Sequence, residues 1–146
     1  MVSRDELESR REGEPQANAL LPCRKVILIV EDENPVRSLI AISLKAEGYA
    51  ILEASNGSDA LELCEVHRGP IDLMITDQKM PLMTGSELVS RVEAVRPTMK
   101  IMCLSGSDRR PDQLSVNVKI LSKPFTLNGL ISMVRDILSD GTPKCA

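Results

Sequence analysis

Apolar residues along this chain follow two alternating rhythms. Short unbroken runs such as Val26-Ile27-Leu28-Ile29-Val30 have no polar face, which suits a parallel strand covered on both sides. Between them lie stretches whose apolar positions recur every three or four residues, as on a helix with one buried stripe. After the first run, Asn34-Pro35 predicts an N-cap with proline at the first helical position, and Gly48 predicts the helix exit. The expected inward stripe of that helix is Val36, Leu39, Ile40 and Leu44. Tyr49 to Leu52 reads as a second strand, and Asn56-Gly57 turns the chain into a helix with Ala60, Leu61 and Cys64 on one side.

The alternation continues. Ile71 to Thr76 predicts a third strand, and Thr84 with Glu87 forms a capping-box signature. The helix it opens shows Leu88, Val92 and Val95 and stops before Pro97. Ile101 to Leu104 and Val118 to Leu121 predict strands four and five. The last helix starts at Thr126 with Leu127, Leu130, Ile131, Val134, Ile137 and Leu138 on one face. Only Ser105 to Asn117 separates strands four and five, and Pro111 lies inside it, so a short or irregular fourth helix is expected there. Five strands alternating with helices predict a doubly wound α/β sheet. The folded domain spans 24–138, after a flexible, charged N-terminal extension at 1–23 and before a C-terminal tail at 139–146.

Composition narrows the functions open to such a fold. One Tyr, one Phe and no Trp leave the interior to aliphatic side chains and seven Met, and leave few platforms for stacking on bases. The net charge of −3, with both signs mixed along the chain, gives no electrostatic reason to expect a nucleic acid or an anionic membrane as partner. No apolar run approaches the roughly 20 residues that span a bilayer. The four cysteines form no C-x-x-C pair and the single His is His67, so zinc ligation is not expected. Cys103 reads as a small core residue, and the protein as cytoplasmic, in a compartment that keeps thiols reduced.

In an open parallel sheet, ligands bind beyond the carboxyl ends of the strands, where the winding reverses. Glu31 and Asp32 follow strand one, Asp77 strand three, Ser105 strand four and Lys123 strand five. Two like charges about 4 Å apart repel by roughly 4 kcal/mol at an effective dielectric of about 20. A cluster of Glu31, Asp32 and Asp77 therefore calls for a cation, and hard oxygen ligands favour Mg²⁺. A lone acid at a strand end more often just caps the next helix. Acids at two strand ends, with a hydroxyl and an ammonium at two more, do not reduce to capping.

These residues carry a resemblance. Val30-Glu31-Asp32-Glu33, Asp77-Gln78-Lys79-Met80-Pro81 with Gly85, Leu104-Ser105-Gly106 and Lys123-Pro124-Phe125 together resemble the receiver domains of response regulators in two-component signalling. Each fragment alone is weak, but all four stand in order, each at the matching strand end. The resemblance implies a flavodoxin-like fold, a five-stranded parallel sheet in the order 2-1-3-4-5 with helices on both faces. It implies Asp77 as phosphoacceptor, with Ser105 and Lys123 contacting the phosphoryl group. It implies Mg²⁺ held by Glu31, Asp32, Asp77 and the backbone carbonyl of Lys79. The donor would be a sensor histidine kinase or a histidine phosphotransfer protein, and the output a downstream protein that the residues do not name. A homodimer is left open. The Lys123-Pro124 bond resembles the family's cis peptide.

Three departures stand out. The first acid is Glu31 where Asp is commonest, Lys79 puts a cation beside the acceptor, and Ile120 occupies the place of the aromatic switch residue. The expected function is a stand-alone receiver acting as a phosphorelay or interaction switch rather than an enzyme. A pseudo-receiver that is never phosphorylated is the alternative, and the intact Asp77, Ser105 and Lys123 set argues against it. An Asp-nucleophile phosphatase needs a second Asp two residues after the nucleophile, where Lys79 stands. Nucleotide binding lacks its glycine-rich signatures.

Overall fold

Val26–Val30 forms β1, and its position in the sheet follows from its composition. With no polar side to face water, it takes an interior place and pairs in parallel with β2 (Ala50–Ala54) and β3 (Leu73–Asp77). Strand β4 (Lys100–Ser105) pairs with β3, and β5 (Lys119–Ser122) with β4, giving one five-stranded sheet in the order β2-β1-β3-β4-β5. This computed structural model describes residues 24–80, 82–106 and 118–139. The extension at 1–23, the tail beyond 139 and most of the segment expected to hold a short or irregular helix (107–117) lie outside the described residues.

Strand alternation divides the core in two. Leu28, Val30, Met74, Ile101 and Cys103 face helices α2 (Gly57–Val66) and α3 (Gly85–Val95). Ile27, Ile29, Leu73, Ile75, Met102 and Leu104 face α1 (Asn34–Ala46) and α4 (Leu127–Ser139). Both faces of β1, β3 and β4 are thus covered, which is why those strands read as continuous apolar runs. Cys103 is fully buried, and Cys64 is buried as well.

Several helix termini match their sequence signals. Asn56 caps α2 by accepting from the Asp59 amide, at 2.8 Å. Thr84 and Glu87 close the full capping box of α3. Thr126 Oγ1 accepts from the Gly129 amide at the start of α4. Gly48 leaves α1 at φ +103°, a conformation costly to any residue with a Cβ.

Helix α1 differs from expectation in two respects. Its N-cap is Glu33, without a side-chain cap bond, and Asn34 is already helical, so Pro35 sits one place further in. The Asn34 side chain instead accepts from the Arg37 guanidinium at 2.5 Å. The inward stripe is Ile40, Ala41 and Leu44 with Val36 half-buried, while Leu39 is 52% exposed. Leu39 and Ala41 lie about 200° apart around a helix, so burial of one turns the other to solvent. Val95, in the last turn of α3, is also largely outside the core. Strands β2 and β3 run one or two residues beyond their expected ends, which makes Asp77 the last residue of β3.

Candidate functional site

The parallel register builds the site. Ala54, Val30, Thr76, Cys103 and Ile120 form one row across the sheet, and the chemistry stands in the rows beyond it. Asp77 pairs with Leu104, Ser105 with Ser122, and the Lys123 amide donates to the Ser105 carbonyl at 2.7 Å. Glu31 directly follows Val30, and its amide donates to the Ala54 carbonyl at 3.1 Å. Residues from four strand ends are brought to one edge with no loop needed to carry them.

Carboxylate oxygens of Glu31, Asp32 and Asp77 lie within 4.8 Å of one another. Glu31 and Asp77 are 1% and 6% exposed, while Asp32 faces solvent. Lys123 Nζ donates to Asp77 Oδ2 at 3.0 Å, an ion pair with its acid buried and its base over a third exposed. Ser105 is buried at the end of β4. Lys79 lies two residues past Asp77 with its side chain in solvent. The Lys123–Pro124 bond is cis, as the resemblance implied.

Burial, then the charge of Asp77, raises the Glu31 carboxyl from its ordinary 4.5 to about 7, against the lowering pull of the Glu33 amide and of Lys123. Burial depresses Lys123, but its hydrogen bond to Asp77 and the charges of Asp77, Glu31 and Glu33 outweigh this and leave it raised. Glu31 Oε2 accepts from the Glu33 amide at 3.2 Å, whereas Oε1 is buried with no hydrogen-bond partner. An orphaned buried carboxylate oxygen is costly in isolation. Among three clustered acids it fits a hard divalent cation, which would supply the missing partner and neutralise the cluster. The donor set is all oxygen, as Mg²⁺ prefers.

The loop after Asp77 is held closely. Gln78 donates its amide to the Leu104 carbonyl and accepts from the Gly85 amide at 2.9 Å. Its side-chain oxygen accepts from Ser86 Oγ at 3.1 Å and lies 3.7 Å from Cys103 Sγ. Gly85 opens α3 so near this loop that a Cβ there would stand 2.6 Å from the Asp77 carbonyl oxygen and 2.9 Å from Gln78 Cα. Both obstacles are backbone, so Gly85→Ala is expected to destabilise the protein by about 1–3 kcal/mol, measured by urea unfolding. Stability within error of the wild type would mean the helix shifts freely. Neither Gln78 nor Arg37 stood out in the sequence. Gln78 lies inside the fragment that carries the resemblance, and Arg37 sits three residues after Asn34.

A family model, the response regulator receiver domain, matches residues 27–135. The chain belongs to that family. Among proteins similar to this receiver domain is the response regulator receiver protein CpdR of Brucella abortus (strain 2308), 35% identical over 118 residues that cover 78% of this chain and 97% of CpdR. The sensor kinase CckA of the same organism is 34% identical over 116 residues, 77% of this chain but 12% of CckA. The solved receiver domain of the hybrid histidine kinase CckA has a TM-score of 0.69 at 37% identity, covering 77% of this chain and 98% of that one. The response regulator TrrA of Thermotoga maritima, solved in complex with Mg²⁺ and BeF, has a TM-score of 0.68 at 33% identity, covering 78% and 99%. Among the described residues no helix is long and apolar enough to cross a membrane.

Proposed function

We propose that this receiver domain accepts a phosphoryl group from a phosphohistidine donor onto Asp77 in a Mg²⁺-dependent reaction, and passes it on or signals through a partner protein. The observation that carries the proposal is the three-carboxylate cluster with Lys123 paired to Asp77. One oxygen of Asp77 attacks phosphorus, the donor's P–N bond breaks, and the electron pair leaves with the imidazole, which takes up a proton. Glu31, Asp32, Asp77 and the Lys79 carbonyl would hold the cation, with the orphaned Glu31 Oε1 as a natural ligand atom. Mg²⁺ would neutralise charge on the phosphoryl oxygens as an anionic nucleophile approaches them.

Lys123 leaves its ion pair with Asp77 to pair with a phosphoryl oxygen, so the charge balance of the site survives the reaction. Ser105 donates a hydrogen bond to the same group, which registers the new charge at the end of β4. Ile120 is partly buried against the α2–α3 side of the core and carries no ring to swing outward. Output therefore depends on other groups. The complex of TrrA with Mg²⁺ and BeF, and the hybrid histidine kinase that carries the CckA receiver, support the chemistry and the class of donor.

Incubation with Mg²⁺ and a small phosphodonor, followed by intact mass measurement, tests the reading. One phosphoryl group is expected on the wild type and none on Asp77→Asn or in EDTA. An unmodified wild type would instead favour an interaction module that is never phosphorylated. Lys79 lies where it can steer water toward the acyl phosphate, so Lys79→Ala is expected to change the phosphoryl lifetime. An unchanged decay rate removes that role.

A further inference from the structure

The guanidinium of Arg37 joins three parts of the protein at once. Nη1 donates to the Glu31 carbonyl at 2.7 Å, Nη2 to Asn34 Oδ1 at 2.5 Å, and Nε to Glu53 Oε1 on β2 at 3.2 Å. Its own backbone amide donates to the Glu33 carbonyl at 2.9 Å, the first helical bond of α1. The four residues 31–34 that carry the acids are therefore closed into a loop by a single side chain, which is anchored to β2. Its other fixings are the Glu31 amide on Ala54 and the Glu33 amide on Glu31 Oε2. The Arg37 side chain is 15% exposed; its bond to the Glu31 carbonyl is partly buried, while those to Asn34 and Glu53 lie at the surface.

We infer that Arg37 is a positioning residue for cation binding by the Glu31–Asp32 loop. The inference rests on the cation site proposed above. Arg37 contacts no carboxylate of that cluster among the bonds it makes; it holds the peptide from which Glu31 and Asp32 project. Three mutually repelling acids would otherwise spread the loop until a cation drew them together, and that rearrangement would weaken binding. A planar fork with donors in three directions meets the three acceptors with little loss of rotamer freedom, which a lysine cannot do. Groups that orient metal ligands from behind typically change affinity by about 10–100-fold when removed. The chain here uses a backbone carbonyl and a neighbouring strand for that purpose.

Calorimetric titration of Mg²⁺ into the full chain, with thermal melting in EDTA and phosphoryl uptake at saturating Mg²⁺, decides the matter. Arg37→Ala is expected to weaken Mg²⁺ about tenfold or more, while the saturated uptake rate stays within about threefold of wild type. Arg37→Lys is expected to recover part of the affinity, and Glu53→Gln, which keeps an acceptor, most of it. Mg²⁺ affinity of Arg37→Ala within about twofold of wild type overturns the inference. A saturated rate that falls as far as the affinity marks general loosening and overturns it as well. Should Arg37→Ala fail to fold, Arg37→Lys carries the decision, and affinity equal to wild type counts against positioning. A wild-type chain that binds no Mg²⁺ overturns the cation site itself, whereas normal wild-type binding with an indifferent Arg37→Ala overturns this inference alone.

Discussion

Lys123→Met is expected to give a protein that folds and binds Mg²⁺ yet takes up phosphoryl groups about a hundred times more slowly. The amine lies 3.0 Å from Asp77 Oδ2, close enough to follow charge from the carboxylate to the incoming phosphoryl oxygens. Removing one such aligned charge from a partly desolvated site typically costs about 10²–10³ in rate. Met keeps the length and apolar stem, so the loss reports the charge rather than the packing. A second readout has the opposite sign. Without the ammonium the three acids are less neutralised, so Mg²⁺ affinity rises by several fold, where a damaged site would lose it. Because the protein has no Trp, the time course is followed by quenched samples and intact mass. Uptake within about threefold of wild type would remove Lys123 from the chemistry.

Metal-free protein is expected to lose stability as pH rises from 5 to 8, with Glu31 as the cause. Its carboxyl is raised from 4.5 to about 7 when folded, so between these values the folded state holds a proton that the unfolded state has released. Stability is full below the unfolded value and falls as the pH climbs through the folded one. The shift corresponds to roughly 3 kcal/mol across the whole interval. Mg²⁺ bound at the proposed site would stabilise the ionised form, so its stabilising effect is expected to grow over the same range. Glu31→Gln keeps the size of the side chain and cannot ionise, so it should flatten the metal-free dependence. Urea unfolding at pH 5.5 and 8, in EDTA and in Mg²⁺, measures both. Parallel slopes for wild type and Glu31→Gln in EDTA would place the effect elsewhere.

Much of this architecture could be read from the chain because its signals are local and repetitive. An unbroken apolar run needs two covered faces, and acids, a hydroxyl and an ammonium just past such runs must meet where parallel strands end. The residues that carried the resemblance, Glu31-Asp32, Asp77, Ser105 and Lys123, stand at those strand ends. What escaped notice depends on contacts between elements. Asn34 has the chemistry of a cap, but Arg37 claims its oxygen, and only the closeness of Glu53 on β2 shows why Arg37 turns that way. Leu39 fits a helical stripe on paper, yet burial of Ala41 rotates the helix away from it. Gln78 looks like any polar loop residue until Ser86 and Cys103 are seen on either side.

The hydrogen bond from the Lys123 amide to the Ser105 carbonyl joins the two side chains proposed to grip the phosphoryl group, through the rung where β5 leaves the sheet. They are coupled mechanically, like two fingers on one knuckle. Effects of substitutions at 105 and 123 should therefore fail to add, and loading of Asp77 should pull on the outermost strand as one body, whichever grip closes first.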